Sequence, residues 1–293
     1  MPDTPAARPV TTTDLLKLVA LVFVFIDHHG YFFDPANPWW RLFGRVAAPV
    51  FFFLIGFART RRVPWTWLAF GIPLTAVNAL EAGNLAGTMV NILINFAILR
   101  ALVLPAVERH VMARPLAVAL LIAGCLPLIP VTDGPLEYGV EGWLWAFLGL
   151  AHRLALEEGG RQALWTRRGA AVSGPRRTVW TRNGIAAATM ISGPGSALLT
   201  RNGIAAATAT AYVIREVYDY RFDGLQAAIL VALVAALTLA LLRFRRAALA
   251  PQPPGILAPL FRFAGRWSLE IYAISLFVSH AVAYAIAQAA GLR

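Results

Sequence analysis

The stretch LLKLVALVFVFIDHHGYFF, Leu15 to Phe33, sets the class of this protein. At about 1.5 Å of rise per helical residue it reaches roughly 28 Å, close to the ~30 Å hydrocarbon core of a bilayer. It is apolar enough to cross, yet it carries Lys17, Asp27, His28 and His29. A carboxylate at membrane depth costs about 2.5–3.5 kcal/mol on insertion scales, so a chain that keeps one there must supply partners for it. An ionisable cluster in such a place is a candidate functional site.

The rest of the chain reads as more of the same solvent. Of 293 residues 58% are hydrophobic and 14% charged, against about 25% charged in soluble domains, so a water-exposed globule is excluded. Apolar runs fall at about 15–33, 46–58, 64–80, 85–107, 115–131, 140–156, 203–217, 225–242 and 267–289. This predicts an all-α, polytopic helical membrane protein of about nine transmembrane helices. The net charge of +11 is carried almost wholly by arginine, since Lys17 is the only lysine. Those charges lie between apolar runs, where the positive-inside rule puts them, so no nucleic-acid partner is expected. Arg59, Arg61 and Arg62 follow the second run; Glu108, Arg109, His110 and Arg114 the fourth; Arg153 to Arg182 the sixth; Arg243, Arg245, Arg246, Arg262 and Arg266 the eighth. Acidic loops bearing Asp34, Glu81, Asp133 and Asp219 alternate with them, which predicts a cytoplasmic N-terminus. The lone Cys125 excludes an intramolecular disulfide, and no cleavable signal peptide is expected before the first run.

Residues 1–13 read as a polar tail, with Thr13 or Asp14 capping the first helix, followed by one transmembrane domain over 14–293. Within it, 157–202 reads as an Arg-rich cytoplasmic loop. It carries a repeat at an offset of 19 residues, Ser173–Thr189 and Ser192–Thr208, with too few copies to build a solenoid. Pro-Gln-Pro-Pro at 251–254 reads as a linker.

Counting from Leu15, Asp27 and His28 lie roughly 18–20 Å into the membrane. Lys17, Val24, His28 and Tyr31 share one helical stripe, while Asp27 sits about 100° round from His28. Arg45, at the start of the second run, is a candidate counter-ion for Asp27, and His280 falls near the depth of His28. Asn91 and Asn95 lie one turn apart as candidate interhelical hydrogen-bonding residues, with Arg100 beyond them. His28, His29 and His280 have the ligand type for a metal, but adjacent histidines diverge on a helix, and no metal is expected. Three functions fit such a cluster: an enzyme, a proton-coupled transporter with an Asp and His relay, and a non-catalytic accessory subunit of a larger membrane assembly.

A family resemblance bears on that choice. Lys17-x9-Asp27-His28-x-Gly30, Gly44-Arg45-x3-Pro49-x-Phe51, Gly56 and Thr60 resemble the TraX family of membrane proteins, as do Asn91-Ile92-Leu93-Ile94 and Glu137-Tyr138-Gly139-x2-Gly142. The likeness covers roughly 14–156. It implies a multi-pass protein of the bacterial inner membrane, associated with N-terminal acetylation of pilin and similar to acyl-CoA-dependent membrane acyltransferases. The implied donor is acetyl-CoA, and the acceptor is pilin or another surface amine or hydroxyl. Under that resemblance His28 is the general base, Asp27 holds and polarises it, and Arg45 positions Asp27 or stabilises developing charge. Arg59, Arg61 and Arg62 would hold acyl-CoA phosphates, with Lys17, Asn91, Arg100 and Tyr138 as further substrate-binding residues. Two positions depart from the family pattern: His29 stands where an apolar residue is usual, and Ser275 stands where the family reads Tyr-x-x-His.

Overall fold

The computed structural model describes residues 8–83, 88–171 and 194–291. They form helices α1 (Thr12–Phe32), α2 (Pro38–Gly44), α3 (Ala47–Phe57), α4 (Trp65–Ala82), α5 (Ile92–Ile98), α6 (Leu104–His110), α7 (Pro115–Cys125), α8 (Ile129–Thr132), α9 (Gly139–Ala171), α10 (Pro194–Tyr220), α11 (Gly224–Arg243) and α12 (Leu257–Ala289). No β-strand forms among the described residues; Thr11–Ala248 and Val90–Leu136 are isolated bridges. The first copy of the repeat lies outside them.

Five helical stretches are long and apolar enough to cross a membrane: Thr12–Phe32, Pro38–Phe57, Pro115–Thr132, Gly224–Arg243 and Leu257–Ala289. That is fewer than the nine runs expected from the sequence. The difference has a cause: the third run is apolar only over the short helix Trp65–Leu80, α9 and α10 carry Glu141, Arg153, Arg215 and Glu216, and the fourth run is broken. Only 22% of the apolar window over Pro115–Thr132 and 11% of that in α12 is buried in the protein. Apolar faces that large need lipid rather than water around them. The chain is an all-α polytopic membrane protein.

Each helix break has a local reason. Pro49 has no N–H for the carbonyl of Arg45, and its ring crowds that carbonyl, so the stretch Pro38–Phe57 divides into α2 and α3 around Arg45 and Val46. The freed Arg45 carbonyl accepts from the Tyr212 hydroxyl at 2.6 Å. Pro105 does the same to the fourth run, which widens into a π turn over Leu99–Val103. That run also starts late. Residues 88–91 are not helical, and Asn91 caps α5 by accepting from the Leu93 N–H. In α12 the backbone leaves helical geometry at Trp267 (φ −107°, ψ 21°), and the Gly265 carbonyl beside that kink accepts from Lys17 Nζ at 2.8 Å.

The described part of the N-terminal segment, from Arg8, is tied to the rest of the chain. Thr11, not Thr13, caps α1, with Asp14 completing a capping box as the third helical residue. Val10 is fully buried, and Gln252 clamps its backbone by accepting from the N–H and donating to the carbonyl. The linker at 251–254 thus holds down the tail. The Arg-rich segment is likewise partly helical, since α9 runs to Ala171 and α10 begins at Pro194.

Helix α3 is the axis of the fold, with every residue from Ala47 to Gly56 buried. It packs on α9 through glycines: a Cβ at Gly56 would fall on the Ala146 carbonyl oxygen, and one at Gly149 on that of Phe53. Small residues let helix backbones approach this closely in lipid. Gly56→Val is therefore expected to cost about 1–3 kcal/mol or more through overpacking, read as a lowered thermal midpoint in detergent.

Candidate functional site

At the C-terminal end of α1 the carboxylate of Asp27 lies between two guanidinium groups. Arg45 Nη2 donates to Oδ1 at 2.6 Å and Arg41 Nη1 to Oδ2 at 2.8 Å. Arg41 and Arg45 are one helical turn apart, an i, i+4 pair that α2 presents to α1. The approach depends on Gly44, where a Cβ would run into Asp27. Arg45 is 5% exposed and stacks over the rings of Tyr138 and Tyr220; Arg41 also donates to the Tyr220 hydroxyl at 2.8 Å. Behind Arg45, α10 buries Ile204, Thr208, Tyr212 and Glu216, spaced four apart on one face. The Glu216 carboxylate, fully buried, lies 3.8 Å from Arg45 Nε and 3.7 Å from Arg215. Arg215 in turn pairs with Glu141, Asp133 and Asp219. Asp27 thus opens a chain of alternating charges, which is how buried charges are made affordable.

His28 points away from Asp27. Its Nδ1 lies 3.2 Å from Ser275 Oγ on α12, and its ring lies 5.5 Å from that of Tyr272 and 6.3 Å from that of Phe32. Lys17 reaches α12 as well, so the predicted Lys17–His28 stripe is the face of α1 packed on α12. His29 turns to the rings of Phe33 and Trp40, and His280 lies against Phe32. The three histidines do not converge, and no metal-ligand group of three or more His, Cys, Asp or Glu occurs among the described residues.

Opposite His28 runs the loop before α9. Tyr138 adopts φ 62°, a left-handed conformation that costs a non-glycine residue about 1–3 kcal/mol. It is pinned from both sides. Asn95 Nδ2 donates to the Glu137 carbonyl at 2.9 Å, while Glu137 Oε2 accepts from the Ile92 N–H at 2.9 Å and from Asn91 Nδ2 at 3.2 Å. Asn91 and Asn95 are therefore fasteners of this loop. Asp27, His28, Arg41, Arg45, Glu137, Tyr138, Arg215, Tyr220 and His280 together line a cavity of about 910 Å³ at this end of the bundle.

Residues 12–163, from α1 into α9, match the family model described as TraX protein. The chain belongs to the TraX family. Searches of curated proteins and of solved structures returned no match. The part of this TraX chain that the family model matches supplies Asp27, His28, Arg41, Arg45, Glu137 and Tyr138. Tyr212, Glu216, Tyr220, Tyr272, Ser275 and His280 come from beyond it.

The opposite end of the TraX bundle is basic. A second cavity, about 1420 Å³, is lined by Lys17, Arg59, Arg100, Arg153, Arg245 and Arg246 against Glu157, with Trp67 on its wall. Arg100, carried on the π turn, stacks over Trp67 and donates to the Thr60 carbonyl at 3.1 Å. Lys17 and His28 are eleven positions apart on α1, about 16 Å along the helix. Between the two cavities lies a seam of about 40 Å³. Phe51 and Leu269 line both seam and basic cavity; Asp27, His28, Glu137 and Tyr138 line both seam and far cavity.

Several residues lie elsewhere than the sequence suggested. Asp27 serves the two arginines, and its carboxylate makes no hydrogen bond to His28. Arg61 is turned inward, donating to the Ile55 and Ala58 carbonyls and pairing with Glu108 at 2.6 Å, so it does not line the basic cavity; neither does Arg62. Arg41 was missed although its i, i+4 relation to Arg45 was visible. Ser275 read only as a missing histidine.

Glu108, beyond the end of the fourth apolar run, also takes Arg153 at 2.5 Å. Burial alone would raise its carboxyl, but the hydrogen bonds from Arg61 and Arg153 prevail and hold it below the ordinary range. A depressed carboxylate contributes stability above its unfolded pKa, and that contribution is lost as pH falls through the folded value. Glu108→Gln is thus expected to be less stable than wild type near neutral pH, with the difference shrinking on acidification, measured as detergent thermal midpoints against pH.

Proposed function

We propose that this TraX chain is an integral membrane acyltransferase that moves an acetyl group from acetyl-CoA to an amine or hydroxyl of a surface acceptor, a pilin-like N-terminus foremost. The observation that carries this reading is the position of His28, at the junction of a basic cavity and a far cavity across a seam of about 40 Å³. On this reading the arginine-lined end is cytoplasmic, the apolar runs make about nine crossings, and the membrane is the bacterial inner one. Lys17, Arg59, Arg100, Arg245 and Arg246 hold the donor's phosphates, and its pantetheine arm runs toward the seam. A water-sized atom needs about 10–15 Å³ by the same measure, so the seam suits the three non-hydrogen atoms of an acetyl group.

The acceptor approaches from the far cavity and attacks the thioester carbonyl. The new C–N or C–O bond forms, the C–S bond breaks, and the acceptor's proton passes to the His28 ring while CoA leaves as thiolate. Arg45 and Arg41 hold Asp27 and supply the positive potential that favours the anionic tetrahedral intermediate. A proton-coupled transporter would instead show uptake that collapses with the proton gradient.

Arg59→Ala and Arg100→Ala test the donor site. Each is expected to raise KM for acetyl-CoA about tenfold, the worth of a charge-assisted hydrogen bond, with kcat nearly unchanged. Unchanged KM in both variants removes the basic cavity as the donor site.

A further inference from the structure

We propose that Ser275 is the positioning residue for His28: its Oγ accepts from the Nδ1–H, leaving Nε2 as the basic atom that meets the acceptor. This deepens the acyltransferase reading and rests on it for its catalytic half.

Ser275 Oγ carries one hydrogen. It lies 2.8 Å from the Tyr272 carbonyl, one turn back on α12, to which it donates. With that hydrogen used, the oxygen offers only lone pairs to the ring nitrogen 3.2 Å away, so Nδ1 must be the donor. In a neutral imidazole the other nitrogen then bears the lone pair, and the partner of one nitrogen sets the role of the other.

The surroundings leave Ser275 this task. Asp27 lies next to His28 in sequence, but both its oxygens are engaged by Arg41 and Arg45. The rings of Tyr272 and Phe32 fix the plane of the imidazole without distinguishing its nitrogens. The charged and titratable groups around His28 include Asp27 on α1, Arg41 and Arg45 on the α2–α3 segment, Glu137 and Tyr138 before α9, and Tyr272 and His280 on α12. Asp27, Arg41 and Arg45 are engaged with one another, and the hydrogen bond at Nδ1 is with Ser275. At Ser275 a hydroxyl, itself anchored to the helix backbone, holds His28.

The test uses the full chain in detergent, labelled with nitrogen-15 histidine, with His28→Gln identifying the His28 signal. Wild type is expected to show neutral His28 as the Nδ1–H tautomer, and Ser275→Ala a mixture of both tautomers. Ser275→Thr, which keeps the hydroxyl, should restore the wild-type signal. In acetyl transfer, Ser275→Ala should lower kcat about tenfold, the equivalent of one neutral hydrogen bond, shift the pH profile of kcat, and leave KM for acetyl-CoA unchanged. An Nε2–H tautomer in wild type, or identical spectra for wild type and Ser275→Ala, overturns the proposal even where transfer is intact. Absence of transfer by wild type with the Nδ1–H tautomer present overturns the acyltransferase reading and the catalytic half of this one, while the hydrogen-bond assignment stands.

Discussion

If the chain is the proposed acetyltransferase, His28→Ala is expected to lower acetyl transfer by about 10²–10⁴-fold, the contribution of a positioned general base. The protein stays folded, because the His28 side chain lies at the edge of the far cavity and the Asp27 ion pairs do not pass through it. A neutral amine is already nucleophilic, so the base acts on the proton released during attack; acceptors with a hydroxyl should suffer more than acceptors with an amine. His28→Gln, close in size and still polar, should be as inactive as His28→Ala. Transfer rates with saturating acetyl-CoA, set beside thermal midpoints, separate lost chemistry from lost folding.

Arg45→Leu is expected to be the most damaging single change to the fold. Removing one partner of a buried pair costs about 3–5 kcal/mol because the other charge is left behind. Here more than one is left: among the described residues Asp27 keeps only Arg41 as an ion-pair partner, and the fully buried Glu216 keeps only Arg215, at 3.7 Å. Arg41→Leu should cost less, since Asp27 then retains the shorter Arg45 contact at 2.6 Å. Asp27→Asn should fall between them. The Arg45→Leu, Glu216→Leu double variant should recover part of the loss, because the pair is removed whole. Thermal or denaturant unfolding in detergent gives the order; equal losses for Arg41→Leu and Arg45→Leu contradict it.

The class of the protein was legible because hydrophobicity is written residue by residue. The Lys17–His28 stripe was legible because helical period fixes which residues share a face, and Arg45 as counter-ion because depth follows from counting. The remainder of the site lies beyond such rules. Glu216 and Tyr212 reach Arg45 from more than 160 residues away, and Ser275 reaches His28 across 247; no local pattern announces either. Where Asp27 turns its carboxylate depended on Gly44 admitting α2 so closely. The late start of α5 followed from Asn91 acting as a cap rather than as a mid-helix residue. Pro49 and Pro105 lie inside runs that hydrophobicity alone reads as unbroken, and which hydroxyl would take the freed Arg45 carbonyl was a tertiary fact.

The central claim, on the proposed function, is that an acetyl group passes from a donor at one end of the bundle to an acceptor at the other with His28 as the general base. Purified protein in vesicles tests it, with radiolabelled acetyl-CoA supplied at the arginine-lined end and a peptide with a free N-terminal amine at the other. Label should appear on the peptide with wild type and fall by at least about a hundredfold with His28→Ala. Equal labelling by the two proteins, or label that appears only when both substrates share one side, contradicts it.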